Sequence, residues 1–252
     1  MRKLGLLTSI LCCLVLAACS TEEKNLTVKG KVQGLKKGTL YLQKIEDTAL
    51  VTLDSVIVSG QETFEFETFI DGPQVLYFYL NKVDNSDYDD RLLFFAEPGE
   101  MIVNTTLKNF ETDAVVEGSK NQEKLTEYRS MMQKFNTKNL ELIKSNLLAK
   151  KENDEKLIDS TEQAHDNLLK RRYLYTVNFA INNKDMEVAP YLAISEVYDA
   201  NIKYLDTIYK SLTPEVKTSR YGQSLKEFLA ERRAVEKATA DTAEAETEAD
   251  TE

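Results

Sequence analysis

The chain has 252 residues, 42% hydrophobic and 29% charged, with one histidine, three cysteines and no tryptophan, enough for one large domain or two small ones with real cores. A net charge of −10 argues against nucleic acid as the main partner, because binding a phosphate backbone requires a basic face. The lone His165 leaves no histidine-cluster metal site and little scope for histidine-based catalysis.

Met1-Arg2-Lys3 forms a short basic start, and residues 4–16 are an apolar run too short to span a bilayer comfortably, the layout of an export signal. The run ends Leu16-Ala17-Ala18-Cys19, where small residues admit a signal peptidase and the thiol can take a lipid. This segment resembles a bacterial lipobox. The resemblance implies a signal peptide over 1–18, a diacylglycerol-modified Cys19, and a polar tether over 19–24. Membrane attachment is then through the N-terminal lipid, and two or three acyl chains make it stable. Cleavage also removes Cys12 and Cys13, so no free thiol remains for a disulfide or redox pair. Ser20, in place of Asp, resembles the outer-membrane sorting pattern, and Ser20-Thr21-Glu22-Glu23 resembles export signals of Bacteroidota surface lipoproteins. The expected location is the cell envelope, anchored in the outer membrane, with surface display as a further expectation.

Seven of the nine glycines lie at 30, 34, 38, 60, 72, 99 and 118, and only Gly222 follows, which separates a turn-rich half from a helical one. Alternating runs at 26–32, 39–45, 49–58, 63–70, 74–80, 91–96, 101–107 and 114–116 predict about eight strands. An antiparallel β-sandwich or open barrel over 25–118 follows. In Phe64-Glu65-Phe66-Glu67 the alternation sends both phenylalanines to one face. Glu97-Pro98-Gly99-Glu100 has the chemistry of a type II turn.

After Gly118, Ser119 to Gln122 reads as a capping box, and Leu125, Tyr128, Met132 and Phe135 recur at three and four, the mark of a long helix. A bend is expected at 136–139, with Leu140, Ile143 and Leu147 carrying the stripe onward. A polar hinge at 150–154 and a second stripe through Leu157, Thr161, Ala164, Leu168, Tyr175 and Phe179 predict an antiparallel helical hairpin. Shorter helices are predicted at 190–199, 202–212, 214–218 and 221–233, completing a helical domain over 119–235. The last stretch, 236–252, is dominated by Ala, Thr, Asp and Glu and is expected to be a disordered acidic tail. The fold class is therefore α+β.

Several pieces of the first half resemble a domain of unknown function found in Bacteroidota envelope lipoproteins. They are Gly38-Thr39-Leu40-Tyr41-Leu42, Leu53-Asp54-Ser55-Val56, Gly72-Pro73, and Phe94 to Val103 with its Glu-Pro-Gly centre. In such proteins a thioredoxin-like (AhpC/TSA-type) module usually follows, and the sequence here has no such module. The resemblance supplies architecture and compartment, and no catalytic residue carries over from it.

No nucleophile elbow, phosphate loop or dinucleotide fingerprint occurs, so neither a catalytic residue nor a nucleotide or other cofactor is expected. Asp84, Asp87, Asp89 and Asp90 crowd one loop and form a possible weak calcium site, although the EF-hand glycine and terminal glutamate are missing and a solvated loop is favoured. His165 reads as a solvated surface residue. Tyr77 and Tyr79 share a face opposite Phe78, an arrangement expected to serve packing. Lys29, Lys31, Lys36 and Lys37 suit either lipid headgroups or, more often, the protection of an edge strand. Met131 and Met132 read as core or seam residues. The expected function is non-enzymatic binding or scaffolding at the envelope, with a peptide or another envelope protein as partner. Two alternatives stand beside it: an accessory to a separate thioredoxin-like or peroxiredoxin-like enzyme, and an uncharacterised hydrolase.

Overall fold

The computed structural model describes residues 23–46, 49–82 and 90–249. The lipobox residues Leu16, Ala17, Ala18 and Cys19 and the loop acids Asp84, Asp87 and Asp89 lie outside them. Eight strands come first: β1 (Leu26–Gln33), β2 (Lys37–Glu46), β3 (Ala49–Ser59), β4 (Thr63–Thr68), β5 (Gln74–Lys82), β6 (Asp90–Ala96), β7 (Gly99–Thr106) and β8 (Val115–Glu117). They form two open four-stranded sheets, ordered β4-β1-β7-β8 and β3-β2-β5-β6. The expected sandwich is present, with one departure. β1 runs parallel to β7, Leu26 opposite Gly99 and Val32 opposite Thr105, so the sheets are mostly rather than wholly antiparallel. A parallel partner requires a long crossover, and β2 to β6, the whole second sheet together with β4, supply it.

Between the sheets lies an apolar core. Val28, Phe66, Met101 and Val103 project from one side, and Leu40, Leu76, Phe78 and Phe94 from the other. Phe64 and Phe66 share the inner face as their alternation requires, and Phe78 meets Phe64 edge-on at 5.2 Å and Phe94 at 4.9 Å between ring centres. Pro98-Gly99 turns the chain from one sheet to the other. Gly99 has the positive φ (128°) expected of it, but it already starts β7, its N–H bonding the Asn25 carbonyl at 2.8 Å. Lys29 and Lys31 lie on the second strand in from the edge, not on an edge. Lys29 sits 3.6 Å from both Glu65 and Glu100, and Lys31 sits 3.0 Å from Glu62, so cross-strand carboxylates answer these cations.

Six helices follow among the described residues: α1 (Lys120–Glu152), α2 (Glu155–Asn182), α3 (Val188–Glu196), α4 (Ile202–Ser211), α5 (Pro214–Thr218) and α6 (Arg220–Ala249). α1 and α2 form the expected hairpin. Asn153 closes α1 in the left-handed region (φ 56°), and the Asp154 side chain caps α2 by accepting the Leu157 N–H at 3.1 Å. α1 is continuous through 136–139, where Lys138 and Glu141 pair at 2.9 Å. α3 starts ahead of Pro190, which fits because a first-turn proline lacks only an N–H that has no helical partner anyway.

One further expectation is corrected. Leu140, Ile143 and Leu147 do not continue the buried stripe; they are 66%, 43% and 63% exposed, while Leu142, Asn146 and Ala149 turn toward α2. Asn146 donates to the Thr161 hydroxyl at 2.8 Å, so a polar contact occupies a position where the pattern called for an apolar one. The backbone of α6 continues through the acidic stretch after 235 as far as Ala249. It contains neither glycine nor proline, and alanine and glutamate are strong helix formers, so nothing in it stops α6.

Candidate interaction site

The second sheet is buried on both faces at β5 and β6. Leu76, Phe78 and Phe94 face the first sheet, while Val75, Tyr77, Leu93 and Phe95 face the helices, which makes three layers. Tyr128, 1% exposed, packs against Phe179 at 5.4 Å and Tyr175 at 6.0 Å between centres, and its hydroxyl pairs with that of Thr176 at 2.9 Å. Burial raises the Tyr128 pKa well above the ordinary phenol value and pushes that of Tyr191 up to about 12. Both phenols stay neutral at any physiological pH.

Polar groups fix this seam. One oxygen of Glu97 accepts from the Ser119 hydroxyl (2.9 Å), the Asn121 N–H (2.7 Å) and the Asn121 side-chain amide (2.8 Å). A carboxylate thereby sits at the positive end of α1. Ser119 caps the helix as expected, accepting from Gln122 N–H at 3.0 Å, but Gln122 does not complete the box; its Oε1 accepts the Phe95 N–H at 2.7 Å instead, satisfying the outer edge of β6. Asn121 Oδ1 accepts the Val188 N–H at 2.8 Å, and the Tyr221 hydroxyl accepts the Val75 N–H at 2.9 Å. Gly118 makes the close approach possible, since it has φ 98° and a Cβ there would lie 2.4 Å from the Glu100 carbonyl. Sequence reasoning saw Glu97 only as part of a turn and Gln122 only as part of a cap.

A cleft opens beside the seam where the 71–74 corner meets α3 and α6. Its two lobes, about 370 and 280 Å³, share Gln74 and Arg220. Arg220 donates to Gln74 Oε1 at 3.0 Å and to the Ile45 carbonyl at 3.2 Å, bracing the sheet against the start of α6. Glu187 lies in the wall, 8% exposed, and burial raises its pKa against the opposing pull of the Ser219 hydroxyl and the Tyr221 N–H. Asp71 on the rim faces solvent. Farther out on the same sheet face Tyr79 stacks on Tyr41 at 5.8 Å, beneath the Arg91 guanidinium at 5.3 Å. Tyr77 and Tyr79 thus share a face opposite Phe78 and serve packing, as their alternation suggested.

The hairpin presents a different surface. Between α1 and α2 runs a groove of about 430 Å³, walled by Ile143 and Leu147 on one side and by Thr161, Glu162 and Asp166 on the other. A smaller lobe of about 130 Å³ continues it toward Phe135 and Arg172, and His165 borders both. His165 is on the surface as expected, its ring nitrogen 3.8 Å from Asp166, but that surface is concave and lined with leucines. Asp90, the one described member of the loop acids, opens β6 and is ion-paired with Lys82. Among the described residues no three carboxylate, histidine or cysteine side chains converge on a metal-sized site, and no helix is long and apolar enough to cross a membrane.

The architecture is that of an α+β protein in which a two-sheet sandwich is docked on a helical module. Residues 26–125 match the family model described as a domain of unknown function, DUF4369. That match reaches beyond Gly118 to Leu125, so it takes in Ser119, Asn121 and Gln122, the residues that hold α1 to the sheet. A search of the curated proteins returns no match to this chain.

Proposed function

We propose that this chain is a lipid-anchored envelope protein, held at the outer membrane through acylated Cys19, whose role is to bind or scaffold other molecules rather than to transform them. The observation that supports the binding role best is the hairpin, which holds Leu140, Ile143 and Leu147 in solvent beside an open groove. The polar side chains at the seam fit the same reading, because Glu97, Asn121, Gln122 and Tyr221 spend their hydrogen bonds joining the two modules into one rigid support.

The anchor is tested by metabolic labelling with a fatty-acid analogue. The wild-type chain should take up the label and sediment with membranes, and Cys19→Ser should lose both properties. Retention of Cys19→Ser in the membrane pellet would overturn the anchor. The binding role is tested by its surface: Leu140→Glu with Leu147→Glu should abolish whatever association the wild-type protein shows in envelope extracts, and an unchanged association would remove the hairpin from the account.

A further inference from the structure

We infer that the hairpin groove is the surface through which two copies of this chain pair. The inference rests on the binding role proposed above and names its partner. Leu140, Ile143 and Leu147 follow a three–four spacing, as helix-packing residues do, yet all three stay exposed, Ile143 and Leu147 as the α1 wall of the groove and Leu140 outside its lining. The groove that this ridge borders, of about 430 Å³, is roomy enough to receive the same ridge from another molecule.

The charges single out a second copy among possible partners. Lys144, Lys150 and Lys151 flank the ridge on α1, while Asp159, Glu162 and Asp166 lie along α2, the last two in the groove's opposite wall. Within the chain Lys150 meets Glu162 at 3.3 Å, but Lys144, Lys151 and Asp159 have no ion pair among the described residues. A surface basic on one helix and acidic on the other complements itself when turned about a two-fold axis. α1 of each copy then lies on α2 of its partner, ridge in groove and lysine beside carboxylate. The opposite superposition would set lysine against lysine.

Size sets the strength. From Phe135 to the end of α1 the hairpin extends about 27 Å, and two helices side by side are roughly 20 Å wide, so each copy offers on the order of 500 Å². The total falls near the lower limit of about 1,000 Å² for a specific contact. A dimer of that size is weak in dilute solution and is favoured when both copies are held on one membrane surface, where tethering raises the effective concentration.

The full chain, carrying a photo-crosslinking amino acid at Leu147 and irradiated in cells, tests this. The expected product has twice the mass of the chain, with the crosslink mapping to α2 of the second copy. A crosslink to a different protein would overturn the pairing while leaving the hairpin as a binding surface; no crosslink from Leu140, Ile143 or Leu147 would overturn both. Charge reversal supplies the second arm, read by sedimentation of the detergent-extracted chain. Lys144→Glu with Lys151→Glu should weaken self-association by about tenfold, and adding Glu162→Lys with Asp166→Lys should restore it. Unaltered circular dichroism confirms that each variant is folded, and failure of the quadruple variant to recover pairing overturns the proposed geometry.

Discussion

The two ends of α1 and α2 obey the same spacing rules and have opposite fates. At the base, Tyr128, Met132 and Phe179 disappear against a sheet whose own outer face is apolar, and Glu97, Asn121 and Gln122 fasten the contact. At the tip, leucines at equivalent intervals remain in water and only the two helices touch. Helical periodicity therefore states that a face needs a partner but not where that partner lies. At the base it is within the chain; at the tip it is not among the described residues.

Substitutions can break this contrast. The largest effect is expected for Tyr128→Ala, which removes a ring that is 1% exposed and packed on two others and should cost about 3–5 kcal/mol in a denaturant titration. Glu97→Ala strips three donors of their charged acceptor. A loss of about 2–3 kcal/mol is expected, along with faster amide exchange in the first turn of α1.

Glu187 sharpens the picture through pH. Burial lifts its folded pKa above the ordinary 4.5, so the folded protein holds this proton more tightly than the unfolded chain does. That advantage is complete below the ordinary value and is lost as the pH rises through the folded value. Glu187→Gln should melt higher than wild type at pH 7, and the difference should vanish in acid below 4.5; a gap that persists there would show that ionisation is not its cause. The smallest effect belongs to the tip. Leu140→Glu and Leu147→Glu should each change the stability of the isolated chain by less than about 0.5 kcal/mol, since their side chains are already largely solvated. A loss of several kcal/mol at either position would mean that the tip is buried after all.

The strands were legible because each is a local pattern of alternation bounded by turn residues, and all eight occur where that pattern placed them. The pairing of β1 with β7 was not, because nothing within 26–33 specifies a neighbour some seventy residues away. For the helices, the start of α5 followed from Thr213-Pro214, a capping hydroxyl and a first-turn proline that act on their own neighbours. The seam was hidden for the opposite reason. Glu97, Gln122 and Tyr221 look like turn, cap and core residues, and only the fold reveals that each satisfies a donor on a different element. At the tip, Asn139 and Asn146 interrupt the line that faces α2, so the leucines one position away were mistaken for its continuation.

The placement of β1 has a mechanical consequence. Any traction entering from the N-terminal side reaches Asn25 and Leu26 first, where the backbone is already bonded to Thr68 and Gly99, and then a strand laddered on both flanks. Pulled lengthwise, such a strand must shear two ladders together instead of peeling one bond at a time. Force applied at this point should therefore register as one abrupt high rupture in a single-molecule trace, with the sandwich yielding as a unit.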